Sequence, residues 1–315
     1  MSKKLYLWLI LVSVFAISII GCHNAEEKRY RITIVTKAMD SEFWQTLRAG
    51  ARDAAKEYPD VELNVLAPQR EINIDQQVNI LEDQILKRVS ALAVAPCGVA
   101  EVIPVLDKAH ERNIPVIMVD TDVDWPHKLS YVGTDNKIGG RLAGEFIAKA
   151  LNGKGKVAVI RGIPGVQTHE DRVAGFLEAI KQAPGIELVA LQPANSERDL
   201  ALTVMENILT SHPDLDAVFM TNDQMALGAL EALDAHRLLD KIVTVGFDAG
   251  QEAIKAVKEG RLSAVVAQDP YNMGKQAFLA ALKAAQGQPV EPRIDTGTRL
   301  IDRSNVDEFI KSEKQ

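Results

Sequence analysis

The chain is poor in cysteine, with 2 in 315 residues, and poor in aromatic residues, which make up 5%. Two cysteines cannot staple a chain of this length, so burial of aliphatic side chains has to hold the fold. The formal net charge is −7, and no block of Lys and Arg interrupts it. That balance argues against a nucleic-acid partner and against electrostatic docking on anionic lipid. There is no Gly/Ser-rich tether, no repeat of solenoid type and no low-complexity tract. Enzyme signatures are missing too: no G-x-S-x-G elbow, no GxxxxGK[ST] loop, no GxGxxG after the first strand candidate and no C-x-x-C. The 6 histidines are scattered, mostly in polar surface contexts, and His169-Glu170 lacks the second histidine that a zinc site would need. Asn152-Gly153-Lys154-Gly155-Lys156 reads as a turn before a strand, not as a phosphate cradle.

What is present begins with a leader. Lys3 and Lys4 precede an apolar run, Leu5 to Ile20, broken only by Ser13 and Ser18. As a helix the run would span about 24 Å, short of the roughly 30 Å hydrocarbon core. A positive start, an apolar middle and a small residue before a cut site form a secretory signal. Its Ile19-Ile20-Gly21-Cys22 ending resembles the lipobox of bacterial lipoproteins, which implies a signal peptide over 1–21, a lipidated Cys22, and a tether over 22–30. The alternative is an uncleaved membrane anchor. Either way the folded part is expected to lie outside the cytoplasm. With Cys22 lipidated, Cys97 has no intramolecular partner and reads as a small buried thiol.

From Arg31 onward, short β-branched runs alternate with segments of helical period. The strand candidates are Ile32–Thr36, Glu62–Leu66, Ala91–Ala95, Val116–Asp120 and Tyr131–Gly133, then Val157–Arg161, Leu188–Leu191, Ala217–Thr221, Val243–Phe247 and Ala264–Ala267. Amphipathic stretches such as Trp44–Tyr58, Val78–Arg88, Ile138–Leu151, Val173–Gln182 and Met225–His236 lie between them. Such alternation predicts an α/β protein with parallel sheets covered on both faces. Ten strands suit two sheets of five better than one open sheet. Ile294–Ile301 reads as an extended edge and Asp302–Ile310 as a small last helix.

Polar residues gather at the C-terminal ends of these strands, the edge at which open α/β sheets bind ligands. Lys37 follows the first strand, with Asp40, Ser41, Phe43 and Trp44 opening the first helix. Asp120 and Asp122 follow the fourth strand, Arg172 lies a loop beyond Val157–Arg161, and Asn222, Asp223, Asp248 and Gln268 follow later strands. Carboxylates, an amide, a guanidinium and an aromatic pair on one rim suit a neutral polyhydroxylated ligand, since charged groups bond hydroxyls strongly and an aromatic face covers C–H groups. Taken singly, Asp40, Ser41 and Asp223 equally suit helix caps, Phe43 and Trp44 suit core, and Arg172 beside Glu170 and Asp171 suits a surface ion pair.

These residues resemble a known family. Val35-Thr36-Lys37 through Phe43-Trp44, Gly133-Thr134-Asp135-Asn136, Thr221-Asn222-Asp223-Gln224-Met225-Ala226-Leu227-Gly228, Val245-Gly246-Phe247-Asp248 and Ala267-Gln268-Asp269-Pro270 are similar to the type I sugar-binding receptors of bacterial ABC transporters, near the ribose- and allose-binding type. The resemblance runs from about Arg31 to Ile310. It implies two doubly wound lobes joined by three hinge crossovers, near Asp135, Gln268–Pro270 and Arg293–Thr298. The lobes would be 31–134 with 269–296, and 135–268 with 297–315. It places ligand contacts on Lys37, Ser41, Phe43, Trp44, Asp120, Arg172, Asn222, Asp248 and Gln268. Lys37 matches a lysine of the allose type.

The chain departs from that pattern at Thr121 and Ala95, where the ribose type has an arginine and an asparagine, and at Ser196, where the family places an aromatic. Trp125 either replaces the lost aromatic or is a surface turn residue. A hexose, a pentitol or an inositol is thereby expected at least as much as ribose. The expectation is therefore a monomeric, lipid-anchored receptor, without catalytic residues, metal or cofactor. It would take a monosaccharide, polyol or cyclitol, deliver it to an ABC permease, and touch the membrane only through its lipid. A sugar sensor partnering a histidine kinase or chemoreceptor is the alternative.

Overall fold

The structure, a computed structural model, describes residues 30–39 and 41–312; the expected signal peptide, Cys22, Asp40 and the last three positions of the expected second lobe lie outside them. The first half of the chain runs β1 (Tyr30–Val35), α1 (Glu42–Ala55), β2 (Val61–Leu66), α2 (Ile74–Leu86), β3 (Ala91–Val94), α3 (Val99–Glu111), β4 (Val116–Val119), β5 (Ser130–Gly133) and α4 (Asn136–Ala150). It continues through β6 (Lys154–Arg161), α5 (Gln167–Ile180), β7 (Gly185–Pro193), α6 (Arg198–Ser211), β8 (Ala217–Met220), α7 (Asp223–Ala235), β9 (Val243–Asp248), α8 (Gln251–Glu259) and β10 (Ala264–Ala267). The tail adds α9 (Pro270–Ala285), β11 (Arg293–Asp295), β12 (Arg299–Asp302) and α10 (Val306–Ser312).

Two sheets result, each 6-stranded, in the orders β11-β5-β4-β3-β1-β2 and β12-β10-β9-β8-β6-β7. All pairings are parallel except β10 with β12. Alternate residues of each strand enter opposite cores. Ala91 and Ala93 join the cluster that contains α1 and α9 side chains, while Leu92 and Val94 join that of α2 and α3. In the second sheet Ala158 and Ile160 face one cluster and Val157 and Val159 the other. Burial on both faces is why these strands read as continuous apolar runs. Cys97 is buried, as expected of a small core thiol, and burial pushes its thiol pKa up; among the described residues it has no disulfide partner.

One element differs from expectation. The single extended edge at Ile294–Ile301 is two strands, and each completes a different sheet. The break falls at Gly297, whose φ of 82° lies in the left-handed region that glycine enters without a Cβ penalty. Two hydroxyls fix the crossing: Thr134 Oγ1 donates to the Gly297 carbonyl at 3.3 Å and Thr298 Oγ1 to the Ala267 carbonyl at 2.9 Å. The other passages between sheets follow β5, through α4, and β10, through α9. At these starts Asp135 accepts from Ile138 N at 3.0 Å and Asp269 from Asn272 N at 2.9 Å, both as N-caps.

Candidate functional site

A cleft of about 590 Å³ opens between the C-terminal edges of the two sheets. Its size is that of a small-molecule site. Lys37, Ser41, Phe43, Trp44, Asp120, Arg172, Asn222 and Asp248 all line it. Gln268 does not: it stands behind Asp248, donating Nε2–H to Asp248 Oδ1 at 2.7 Å. Its own Oε1 is buried without a partner among the described residues.

On the first lobe, β1 ends at Val35 and the loop behind it is pinned from below. Arg48 donates to the carbonyls of Ala38 and Met39, each at 2.9 Å. Gln77 spans the carbonyls of Thr36 and Ala95 and accepts from Cys97 N. Lys37 is thus held at 2% exposure, with Nζ 3.2 Å from Asp120 Oδ2 and 5.7 Å from the Trp44 ring centroid. Asp120 has a positive φ of 60°, anchored by the Tyr131 hydroxyl 2.8 Å from its carbonyl. Phe43 and Trp44 meet edge to face at 4.8 Å. Trp44 belongs to the core, whereas Phe43 is half-buried against it. Ser41 sits at the N-cap of α1 but makes no capping bond, which leaves its hydroxyl to the cleft.

On the second lobe, α4 and α5 cross so closely that a Cβ on Gly140 would stand 1.9 Å from the Arg172 carbonyl oxygen. That approach brings Arg172 Nε to Asn136 Oδ1 at 2.8 Å, while Nη1 reaches the Thr221 carbonyl at 2.6 Å and Asp248 Oδ1 at 3.5 Å. The guanidinium also lies 3.8 Å over the Phe247 ring. It is buried, not a surface ion pair. Asn222 caps α7, its Oδ1 accepting from Met225 N at 2.9 Å. Its amide N–H groups are what remain for a ligand.

Several groups outside the expected contact set complete the walls. Glu71, in the β2–α2 loop, accepts from Trp44 Nε1 at 3.0 Å. Asp223 accepts from Gly250 N at 2.5 Å, and its Oδ1 is buried without a partner among the described residues. Burial and the neighbouring Asp248 charge push the Asp223 pKa well up; burial also raises that of Asp248, against the pull of Arg172. His169 is buried and lines the cleft, contrary to the surface setting expected of it, and burial with the charges of Arg172, Lys37 and Arg161 drives its pKa well down. Trp125 is neither a cleft aromatic nor a surface turn residue. It is buried in the core beneath α3, with Nε1 donating to Asp107 at 2.8 Å.

Among the described residues two contacts cross the cleft. Glu42 Oε2 accepts from Gln251 N at the start of α8 at 2.9 Å, and Arg70 pairs with Glu197 at 3.1 Å. Non-glycine residues in the left-handed region recur along the rim, at Asp120, Asn195, Ser196, Asp248 and Ala249. Strain of this kind, of order 1–3 kcal/mol each, collects where side chains must be aimed.

Comparison with known proteins agrees with this geometry. The periplasmic binding protein domain model matches residues 32–289. The ribose import binding protein of Escherichia coli strain K12 is 33% identical over 291 residues, 92% of this chain and 96% of that protein. A solute-binding protein of an ABC transporter from Actinobacillus succinogenes, solved with bound D-allose, superposes with TM-score 0.82 at 33% identity, over 89% of this chain and 100% of that one. Another from Bacillus halodurans, solved with myo-inositol, gives TM-score 0.85 at 29% identity, over 91% and 98%. With two parallel-sheet lobes facing each other across a cleft at their strand ends, the chain belongs to the periplasmic binding protein family, on its type I fold.

Proposed function

We propose that the chain captures a neutral sugar or sugar-like polyol in the interlobe cleft and delivers it to the permease of an ABC transporter. One observation carries the choice of a neutral ligand: the buried cations face carboxylates, one buried and one nearly so. Lys37 pairs with Asp120, and Arg172 with Asp248. An ionic ligand would have to break such a pair and leave an uncompensated buried charge. A hydroxyl instead adds bonds to both members. Several charge-assisted bonds at about 1.5–3 kcal/mol each, with stacking on Phe43 and Trp44, reach the roughly 8 kcal/mol of a micromolar complex after binding costs.

The lobes of this reading are 31–134 with 269–296 and 135–268 with 297–315, closing about the three crossovers as periplasmic binding proteins do. Differential contact with the ligand in open and closed states drives closure. Cys22 carries the lipid that holds the receptor outside the cytoplasm, so Cys22→Ser is expected to release the protein from membranes. A variant that stays membrane-bound refutes the lipid anchor. For the ligand, a thermal-shift screen of pentoses, hexoses, pentitols and inositols, with sugar phosphates and sugar acids beside them, is expected to raise Tm only with neutral compounds. Stabilisation confined to the charged probes, or by none, overturns the reading.

A further inference from the structure

Ser196 lines the second-lobe wall of the cleft. Its backbone and that of Asn195 are both left-handed, at φ 64° and 51°. Two such residues in succession persist only when pinned, and this pair is: Ala194 N donates to the Arg161 carbonyl at 2.7 Å and Glu197 N to the Ala194 carbonyl at 2.8 Å. The turn brings Ser196 Oγ within 3.1 Å of His169 Nε2.

The direction of that bond follows from its neighbours. Thr221 is fully buried, and its Oγ1 accepts from Gly162 N at 3.1 Å while standing 2.9 Å from His169 Nδ1. The threonine proton has no other acceptor among the described residues, so it goes to Nδ1. Nδ1 is then unprotonated, and the neutral imidazole carries its hydrogen on Nε2. Burial and the surrounding cations favour that uncharged ring. Nε2–H therefore donates to Ser196 Oγ. The serine keeps its own O–H and one lone pair, one donor and one acceptor, which is the complement of a ligand hydroxyl.

Across the cleft stand Phe43 and Trp44 on the first lobe. A ring laid with its C–H face on the aromatics would turn its other face to the second lobe, the wall that carries Ser196. Equatorial hydroxyls radiate in the plane of a six-membered ring toward the rim, whereas an axial hydroxyl projects along the normal. We propose that Ser196, oriented by the Gly162–Thr221–His169 relay, reads an axial hydroxyl on the ligand face opposite the aromatic pair. This inference rests on the neutral-polyol reading above.

Calorimetry on three epimer pairs tests it: D-ribose with D-xylose, D-allose with D-glucose, and myo-inositol with scyllo-inositol. In each, one hydroxyl changes from axial to equatorial. The wild-type chain is expected to bind the axial member of at least one pair about tenfold tighter or more. Ser196→Ala and Ser196→Gly both remove that preference by weakening the axial member alone. The glycine variant also relaxes the positive φ, so its Tm is expected to hold or rise while preference is lost. Thr221→Val, which cuts the relay, loses the preference, and Thr221→Ser restores it. Preference that survives in both Ser196 variants, or a wild-type preference for equatorial members, overturns the inference. Binding of some other sugar but none of these six overturns it and spares the parent reading; binding of no sugar or cyclitol overturns both.

Discussion

The two walls of the cleft are built on different principles. Beside its single Lys37–Asp120 pair the first lobe offers core reaching toward the cleft: Trp44 belongs to one cluster with Leu47 and Ile34 and, with half-buried Phe43, lines the cleft from the edge of that cluster. The second lobe offers polar groups reaching inward, with Arg172, His169, Asn222 and Asp223 all nearly buried and held by helix ends and strand carbonyls. Helix pairing supports both in the same way. Gly274 lets α9 close on the Leu47 carbonyl as Gly140 lets α4 close on that of Arg172. Damage to the first wall should therefore be felt as lost packing, and damage to the second as stranded polar groups.

Arg172→Ala is the largest expected effect. The truncation strands the Asn136 side chain, the Thr221 carbonyl and the Asp248 carboxylate together, and breaking a buried pair costs about 3–5 kcal/mol. Urea unfolding should show that loss along with abolished binding. A variant that loses affinity at full stability would show that the second wall is ligand surface alone. On the first wall the same test splits two adjacent residues. Trp44→Ala is expected to cost roughly 3–5 kcal/mol as a core truncation. Phe43→Ala, half-buried, is expected to weaken binding about tenfold with little change in Tm.

The carboxylates of the second wall give a smaller, pH-dependent signature. The Asp223 pKa is raised in the fold by burial and by Asp248. The fold therefore holds a proton there that the unfolded chain releases more readily. Stability from this group is complete below the unfolded carboxylate pKa and is lost as pH rises toward the raised folded value. Asp223→Asn, which mimics the protonated acid, is expected to flatten that decline in Tm measured from acidic to alkaline pH. An unaltered slope would assign it to other groups.

The strand ends were readable because polar residues follow short apolar runs: Val116–Val119 into Asp120, Ala217–Met220 into Asn222, and Ala264–Ala267 into Gln268. Sheet pairing then brings those ends to one edge, so the rim was legible from pattern alone. Glu71 was not. It lies in a loop without periodicity, and its partner Trp44 is 27 residues away. His169 was misplaced for a related reason: its burial comes from Thr221, 52 residues on, and from Ser196, neither of which local spacing reveals. From sequence the tail reads as one strand because Arg293–Asp295 and Arg299–Asp302 both suit an edge, and only the turn at Gly297 divides them.

The Arg70–Glu197 pair joins the walls themselves and sets the smallest expected effect. Both side chains are solvent-accessible, at 52% and 27%. An exposed pair of this kind contributes about 0.2–1 kcal/mol and weakens with salt. Because it links the two lobes across the cleft, that energy enters the closing equilibrium and not the folding of either lobe. Arg70→Ala is accordingly expected to leave Tm of the unliganded protein in place and to loosen ligand binding by up to about fivefold at low ionic strength, fading toward nothing at high salt. Glu42 supplies the contrasting bridge, since its carboxylate meets the backbone N–H of Gln251 at a helix N-terminus instead of a mobile cation. Glu42→Gln should lose more affinity than Arg70→Ala and retain that loss in salt. Equal, salt-insensitive losses for the two would mean that neither bridge acts through closure, and that both hold the lobes in one fixed arrangement.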